Sequence, residues 1–406
     1  MERFSGRCAT GCASLQSSRN FSVRWCAAFT LRYSILKGLL DHRTLLDKSP
    51  KLMSELMSEL MPEPDSDSAP TLTPLLPVAV DVTVVHPLRD RYWLHALLLL
   101  ATVFTTLIVG AGMQFNFQNN FAPYSADNNA APFFPVLWAI LHPAHLLLGV
   151  PFSSTLLLIL LCHEMGHYVY CRRYRVWASL PYFIPFPSLA GTLGAFIRIR
   201  SAIRSRTALF DIGIAGPIAG FVPALAALFL GLSLSKPTPA FRVPSDIEFG
   251  YPFIFDAAQH ILAALTHASV HLLPLDRVYL HPIAFAAWVG MVVTSLNLLP
   301  GGQLDGGHII YAVFPRGHRW ITLLTVGVLI PMGLHSVGWW LWAVILLATG
   351  WQHPPVPPWP GLDYQRKALA LLMVAVLLAS ITPVPVNGLS AADVFPGIFA
   401  RHQKGN

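Results

Sequence analysis

Three observations predict an all-α polytopic membrane protein with about seven transmembrane helices. The composition is 54% hydrophobic with only 12% charged residues, the mean hydropathy is +0.54, and apolar runs of membrane-spanning length alternate with basic clusters. A soluble domain carries roughly 25% charged residues. The net charge of +7 does not indicate nucleic acid, because the Lys and Arg residues flank apolar runs instead of clustering on a soluble face. Membrane lipid is the expected surround, and no nucleic-acid partner is expected.

Residues 1–90 come first and are expected to form a disordered tail and linker. Residues 1–52 hold nine Lys/Arg against three acidic residues, a balance that fits an organellar transit segment. The following stretch MSELMSELMPEPDSDSAP offers Met53, Met57 and Met61 as alternative starts before a Pro/Asp/Ser-rich linker. A mis-called start or an unstructured tail is the preferred expectation.

Five runs then qualify as spans: Leu94 to Met113, Phe152 to Cys171, Ala208 to Leu232, Pro282 to Leu299 and Ala368 to Val384. Trp320 to Trp351 reads as a hairpin of two short spans turning near Gly333 to Ser336. Pro135 to Val150, with His142 and His145, reads as a shorter re-entrant or interfacial piece. Arg89 and Arg91, then Arg172, Arg173 and Arg175, then Arg198, Arg200, Arg204 and Arg206 mark one side of the membrane as cytoplasmic. Residues 233–280, poorer in fixed positive charge, fall outside. The N-terminus is then cytoplasmic, in the plasma (inner) membrane if the cell is bacterial, and seven spans leave the C-terminus outside.

The second run contains HEMGH, residues 163–167. On a helix, positions i and i+4 share a face, so His163 and His167 can direct their imidazoles at one point, the spacing of a zinc pair. Glu164 beside them suits a general base acting on a metal-bound water. With 16 His and 6 Glu in 406 residues, such a triplet arises by chance about once in a hundred chains. Burying a carboxylate in lipid costs about 2.5–3.5 kcal/mol or more, so an intramembrane Glu is a functional candidate rather than helix glue. Cys162 and Cys171 lie on the same helix and read as packing residues, since their spacing suits neither a disulfide nor a close zinc pair.

A catalytic zinc takes three protein ligands and leaves a position for water. Asp211, His281, Asp305 and His308 are the candidates for the third. Asp305 sits in NLLPGGQLDGGH, where Pro300, Gly301 and Gly302 break a helix before the helical run HIIYAVF. Asp211 opens a span near the basic edge, where capping or pairing with Arg204 or Arg206 is the expectation. Gly213, Gly216 and Gly220 with Pro217 are expected to serve close helix packing and a kink. After the helix-breaking Pro181, Pro185 and Pro187, the tract GTLGAFIRIRS, residues 191–201, alternates Ile197, Arg198, Ile199, Arg200 as a strand does. This predicts a short membrane-associated β-hairpin near the active site. Its edge can pair with another extended segment, or it is an ordinary hairpin anchored by arginines.

HEMGH at 163–167, FDIGIAGPIAGF at 210–221 and NLLPGGQLDGG at 297–307, in this order and in apolar surroundings, resemble the core of the site-2 proteases, a family of intramembrane zinc metalloproteases. The resemblance covers about residues 150–315. It implies one Zn2+ per chain held by His163, His167 and Asp305, Glu164 as catalytic acid/base, and Asn297 as a contact to the substrate carbonyl. Residues 233–280 are too few for an inserted PDZ-like domain. The expected organisation is 1–90 tail, 91–150 first helix and re-entrant piece, 151–315 catalytic core, 316–390 C-terminal helices and 391–406 polar tail.

The function implied is an intramembrane endopeptidase that cuts a transmembrane protein substrate in regulated intramembrane proteolysis. Two other classes compete: a transporter relaying ions or protons through the His and Glu side chains, and a catalytically inactive adaptor of the same fold. A transporter would show two matching halves with broken helices, and no second copy of the motif exists in the sequence. The adaptor is disfavoured because Glu164 and the expected ligands are all present. Oligomeric state is not legible.

Overall fold

The computed structural model describes residues 91–124, 129–132, 135–241, 243, 247–350, 353–357, 361–387 and 390–394. The expectations for residues 1–90 and for most of the C-terminal tail lie outside the described residues. The first element is helix α1, Tyr92–Asn119. A short helix α2, Val136–Leu141, is followed after His142 by a 3₁₀ turn, Pro143–Gly149, that runs directly into α3, Val150–Arg173. The interfacial reading of 135–150 thus corresponds to a broken helical approach, interrupted where Pro143 cannot donate a backbone hydrogen bond. Helix α4 covers Arg206–Ser233 and accommodates Pro217 and Pro223 internally.

Among the described residues, three helices are long and apolar enough to cross a membrane: α1, the continuous Pro143–Arg173 helix and α4. The later helices are shorter: Phe253–Thr266 (α5), Pro282–Asn297 (α6), Asp305–Val313 (α7), His318–His335 (α8), Gly338–Ala348 (α9) and Tyr364–Ser380 (α10). The chain is therefore mainly helical with three candidate spans, fewer than the seven expected. Large apolar side chains such as Leu97, Leu100, Phe104, Leu158, Val222 and Leu230 are exposed along the three long helices. Patches of that kind suit hydrocarbon, not water.

Helix α5 falls within residues 233–280, where no span is expected. Its buried residues Phe255, Ala258, Gln259 and Leu262 fall at helical spacing on one face, a legible signal. That face joins the main apolar core with Phe152, Leu156 and Ile159 of α3, Ala224 and Leu228 of α4, and Ala286, Ala287 and Met291 of α6. Helices α3 and α4 approach closely because Gly166 faces the α4 backbone: a Cβ there would stand 2.3 Å from the Ala215 carbonyl oxygen. Where burial in lipid supplies no drive for helices to associate, such small-residue contacts let dispersion do so.

The predicted hairpin is present, one step earlier in sequence than the alternating tract. Strand β1, Tyr182–Pro185, pairs antiparallel with β2, Thr192–Phe196. The Ile197–Arg200 tract continues as irregular pairing: Ser179 donates its backbone N–H to the Arg198 carbonyl at 3.0 Å, and Arg200 donates to the Trp177 carbonyl at 2.7 Å. The hairpin is tied to α1 through the His95 Nδ1 bond to the Pro181 carbonyl, 3.1 Å, and through Gly191, whose φ of +75° lets the turn lie against Thr105.

Candidate metal centre

His163 and His167 both lie on α3 and are 3% and 7% exposed. One helical turn separates them, and their Nε2 atoms stand 3.2 Å apart. Asp305 arrives from far along the chain. Helix α6 ends at Asn297, and residues 298–304 fold back so tightly that α7 starts against that end. Two glycines make this turn possible. Gly302 has a φ of +59°, and a Cβ on Gly306 would meet the Leu298 carbonyl oxygen at 2.2 Å. Asp305 Oδ2 is 3.2 Å from each of the two Nε2 atoms.

These three residues form the single group of three or more His, Cys, Asp or Glu side chains able to share an ion among the described residues. The geometry fits a metal. His167 donates Nδ1–H to the Ile212 carbonyl at 2.8 Å, which leaves its Nε2 lone pair pointing at the centre. Donors bound tetrahedrally at about 2.0 Å stand about 3.3 Å from one another, and the three edges here are 3.2 Å. Two imidazoles and one carboxylate form a donor set suited to zinc with an open position.

The imidazoles have room because α4 carries no side chain where they lie. A Cβ on Gly216 would meet His167 Nε2 at 2.0 Å, and one on Gly220 would meet the His163 Cβ at 2.9 Å. The glycines therefore serve close packing as expected, with the added result that the atoms they clear space for are the candidate ligands. Asn297, the last residue of α6, directs Nδ2 to within 3.3 Å of His163 Nε2. Glu164, 6% exposed, accepts a hydrogen bond from the backbone of Ile197 just beyond β2. Hairpin and motif helix thus meet at this carboxylate.

The other candidate ligands go elsewhere. Asp211 is held by Arg366 through two bonds of 2.7 Å and by the Tyr174 hydroxyl. The expected pairing with Arg204 or Arg206 is replaced: Arg206 donates to the Ala312 and Val313 carbonyls at the end of α7. His281 caps α6, accepting from the Ile283 N–H. His308 is one turn beyond Asp305, but its Nδ1 is 2.8 Å from His353 Nε2. Burial, and then the neighbouring His353, pushes the His308 imidazole down to about 4, so it stays neutral.

Residues 151–333 match the family model described as Peptidase family M50. The chain is similar to "Probable zinc metalloprotease EGY1, chloroplastic" of Arabidopsis thaliana, 29% identical over 76% of this chain and 56% of the relative. It is likewise similar to the protein of the same name from Oryza sativa subsp. japonica, 30% identical over 76% of this chain and 53% of the relative. A third relative, "Probable zinc metalloprotease EGY2, chloroplastic" of Arabidopsis thaliana, is 27% identical over 58% of this chain and 42% of its own length. The chain thus spans about half the length of these relatives.

Proposed function

We propose, from the membership of residues 151–333 in the site-2 protease family, peptidase family M50, that this chain is an intramembrane zinc endopeptidase cutting transmembrane protein substrates in regulated proteolysis. The observation that carries the reading is the triangle of His163, His167 and Asp305 donor atoms with 3.2 Å edges, beside the buried carboxylate of Glu164. The zinc names of the relatives support the choice of metal.

Zinc bound there would polarise the scissile carbonyl and make water acidic enough to attack near neutral pH. Glu164 accepts the proton of the attacking water and hands it to the leaving amine. The Asn297 amide N–H donates to the carbonyl oxygen as negative charge develops on it. A transmembrane helix hides its peptide bonds, so the substrate must be held extended. The β1–β2 hairpin is suited to this: it ends one residue before Ile197, whose backbone bonds Glu164, and an unwound segment can add to its edge.

The full count of seven spans requires α6, the α8–α9 pair and α10 to cross as shorter helices within the bundle. The site then lies roughly 8–14 Å from the basic boundary at Arg172, by the helical rise of 1.5 Å per residue. Water reaches it from that side. The bacterial plasma membrane finds no support in relatives that are chloroplastic by name. A chloroplast membrane is the proposed setting, with the basic flanks facing the stroma.

The test is purification in detergent, metal analysis, and cleavage of a transmembrane reporter peptide. About one zinc per chain, with cleavage lost on chelation and regained with zinc, is the expected result. A folded chain without zinc, or a zinc-loaded chain that moves cations and cuts nothing, would overturn the reading.

A further inference from the structure

Asp211 stands in FDIGIAGPIAGF, yet it takes no part in the metal triangle. It is 8% exposed and joins three helices. Its own helix is α4. The hydroxyl that donates to its Oδ2 belongs to Tyr174, the C-terminal cap of the motif helix α3. The guanidinium that grips it belongs to Arg366 in the first turn of α10: Nε bonds Oδ1 and Nη2 bonds Oδ2, both at 2.7 Å. Arg366 is itself steadied by Asp363, which caps α10 with one carboxylate oxygen and bonds Nη1 at 2.8 Å with the other.

The next residue on α4 is Ile212, whose carbonyl accepts the Nδ1–H of His167 at 2.8 Å. Two adjacent rungs therefore connect α3 and α4: Tyr174 to Asp211, and His167 to Ile212. The second sets the tautomer and ring plane of a candidate zinc ligand. The first is locked from outside by a bidentate ion pair, the arrangement with the greatest geometric definition. Arg366 and Asp363 lie beyond residues 151–333, the extent of the family match.

We propose that the Asp211–Arg366 pair is a positioning device for His167. Through it the C-terminal helix α10 holds the register of α4 against α3, presents the Ile212 carbonyl to the imidazole, and so sets metal retention and kcat. The inference rests on the zinc-site reading above. Neither residue touches the reacting atoms, so substrate KM is not expected to change.

The experiment uses the full chain in detergent, with zinc competition against a chelator and the visible spectrum of the cobalt-substituted protein. Arg366→Met is expected to weaken zinc retention about 10- to 100-fold, the usual effect of removing a group that orients a ligand. It should also alter the cobalt bands and lower kcat with KM unchanged. Arg366→Lys keeps the charge but not the fork and should recover part of the loss. Asp211→Asn combined with Arg366→Met should lose little more than either alone, because the two act as one unit. Should Arg366→Met fail to fold, Tyr174→Phe, which removes one hydroxyl, carries the same readouts with a smaller shift in the same direction. A folded Arg366→Met or Tyr174→Phe protein with wild-type zinc affinity and an unchanged cobalt spectrum overturns the inference. His163→Ala separates the two levels: if it and the wild type alike bind no zinc, the site reading falls and this proposal with it. If only His163→Ala loses zinc while Arg366→Met keeps it, this proposal alone falls.

Discussion

His167 is fixed on both faces, by the Ile212 carbonyl at Nδ1 and by the space over Gly216 at Nε2. Small changes around it should therefore act on the metal before they act on the fold. Gly216→Ala places a methyl group where the imidazole sits and is expected to cost most of the bound zinc, read by metal analysis of the purified chain. Glu164→Gln keeps the shape of the side chain but cannot take a proton. It should lower kcat by about 10²–10⁴-fold while leaving about one zinc per chain. His163→Ala, His167→Ala and Asp305→Ala each remove a donor and should lose zinc and cleavage together. Wild-type zinc in Asp305→Ala, with loss in His308→Ala, would move the third ligand elsewhere. The pair His163–His167 and its Glu were legible because helical spacing is local information. The partner of Asp211 was not, since Arg366 lies 155 residues away in sequence and the nearer Arg206 is drawn off by the carbonyls at the end of α7.

At the scale of elements, the hairpin shows how alternation located a strand whose regular pairing covers only the first half of the tract. Regular pairing of β2 stops at Phe196, opposite Tyr182, where the facing segment next offers Pro181, which has no backbone N–H to donate. The alternation of Ile and Arg continues beyond, and pairing resumes there only as an isolated bridge between Ala178 and Ile199. The turn rests on α1 at Gly191, where a Cβ would stand 2.7 Å from the Thr105 carbonyl oxygen in a backbone conformation of positive φ. Gly191→Ala adds both strain and a clash, and should loosen the hairpin from α1. The expected outcome is cleavage reduced about tenfold with zinc content unchanged, since a tenfold loss needs only about 1.4 kcal/mol. Parallel loss of zinc would show that the hairpin supports the metal directly. Helix α5 was missed for a different reason: its buried face repeats at helical spacing, but only 14 residues long it falls short of a membrane span.

For the whole molecule, charge and helix direction make an orientation that can be tested. Helix α4 runs from the basic end at Arg206 to Ser233, so positions before it and positions around Ser269 should face opposite sides. Single cysteines at Ser201 and at Ser269 in a cysteine-free background are expected to react with impermeant reagents from opposite sides, Ser201 from the side of the arginines. Labelling of both from one side would exclude the proposed path to the metal. A chain beginning at Met53 should insert and cleave normally once delivered to the membrane. Failure of delivery to the membrane in cells with intact activity in detergent would assign residues 1–52 to targeting.

What the sequence determined alone is whatever depends on near neighbours: apolar runs long enough for lipid, the i, i+4 histidines with their glutamate, the breaks at Pro300 to Gly302, and the presence of a strand near residue 191. These follow from periodicity and backbone sterics within a few residues. Only the tertiary structure decided that Asp305, and not Asp211, His281 or His308, completes the triangle. It alone brought the Ile197 backbone to Glu164 and Arg366 to Asp211. Those choices depend on how closely helices can approach, and here that is set by glycines whose missing side chains have meaning only once the facing helix is in place.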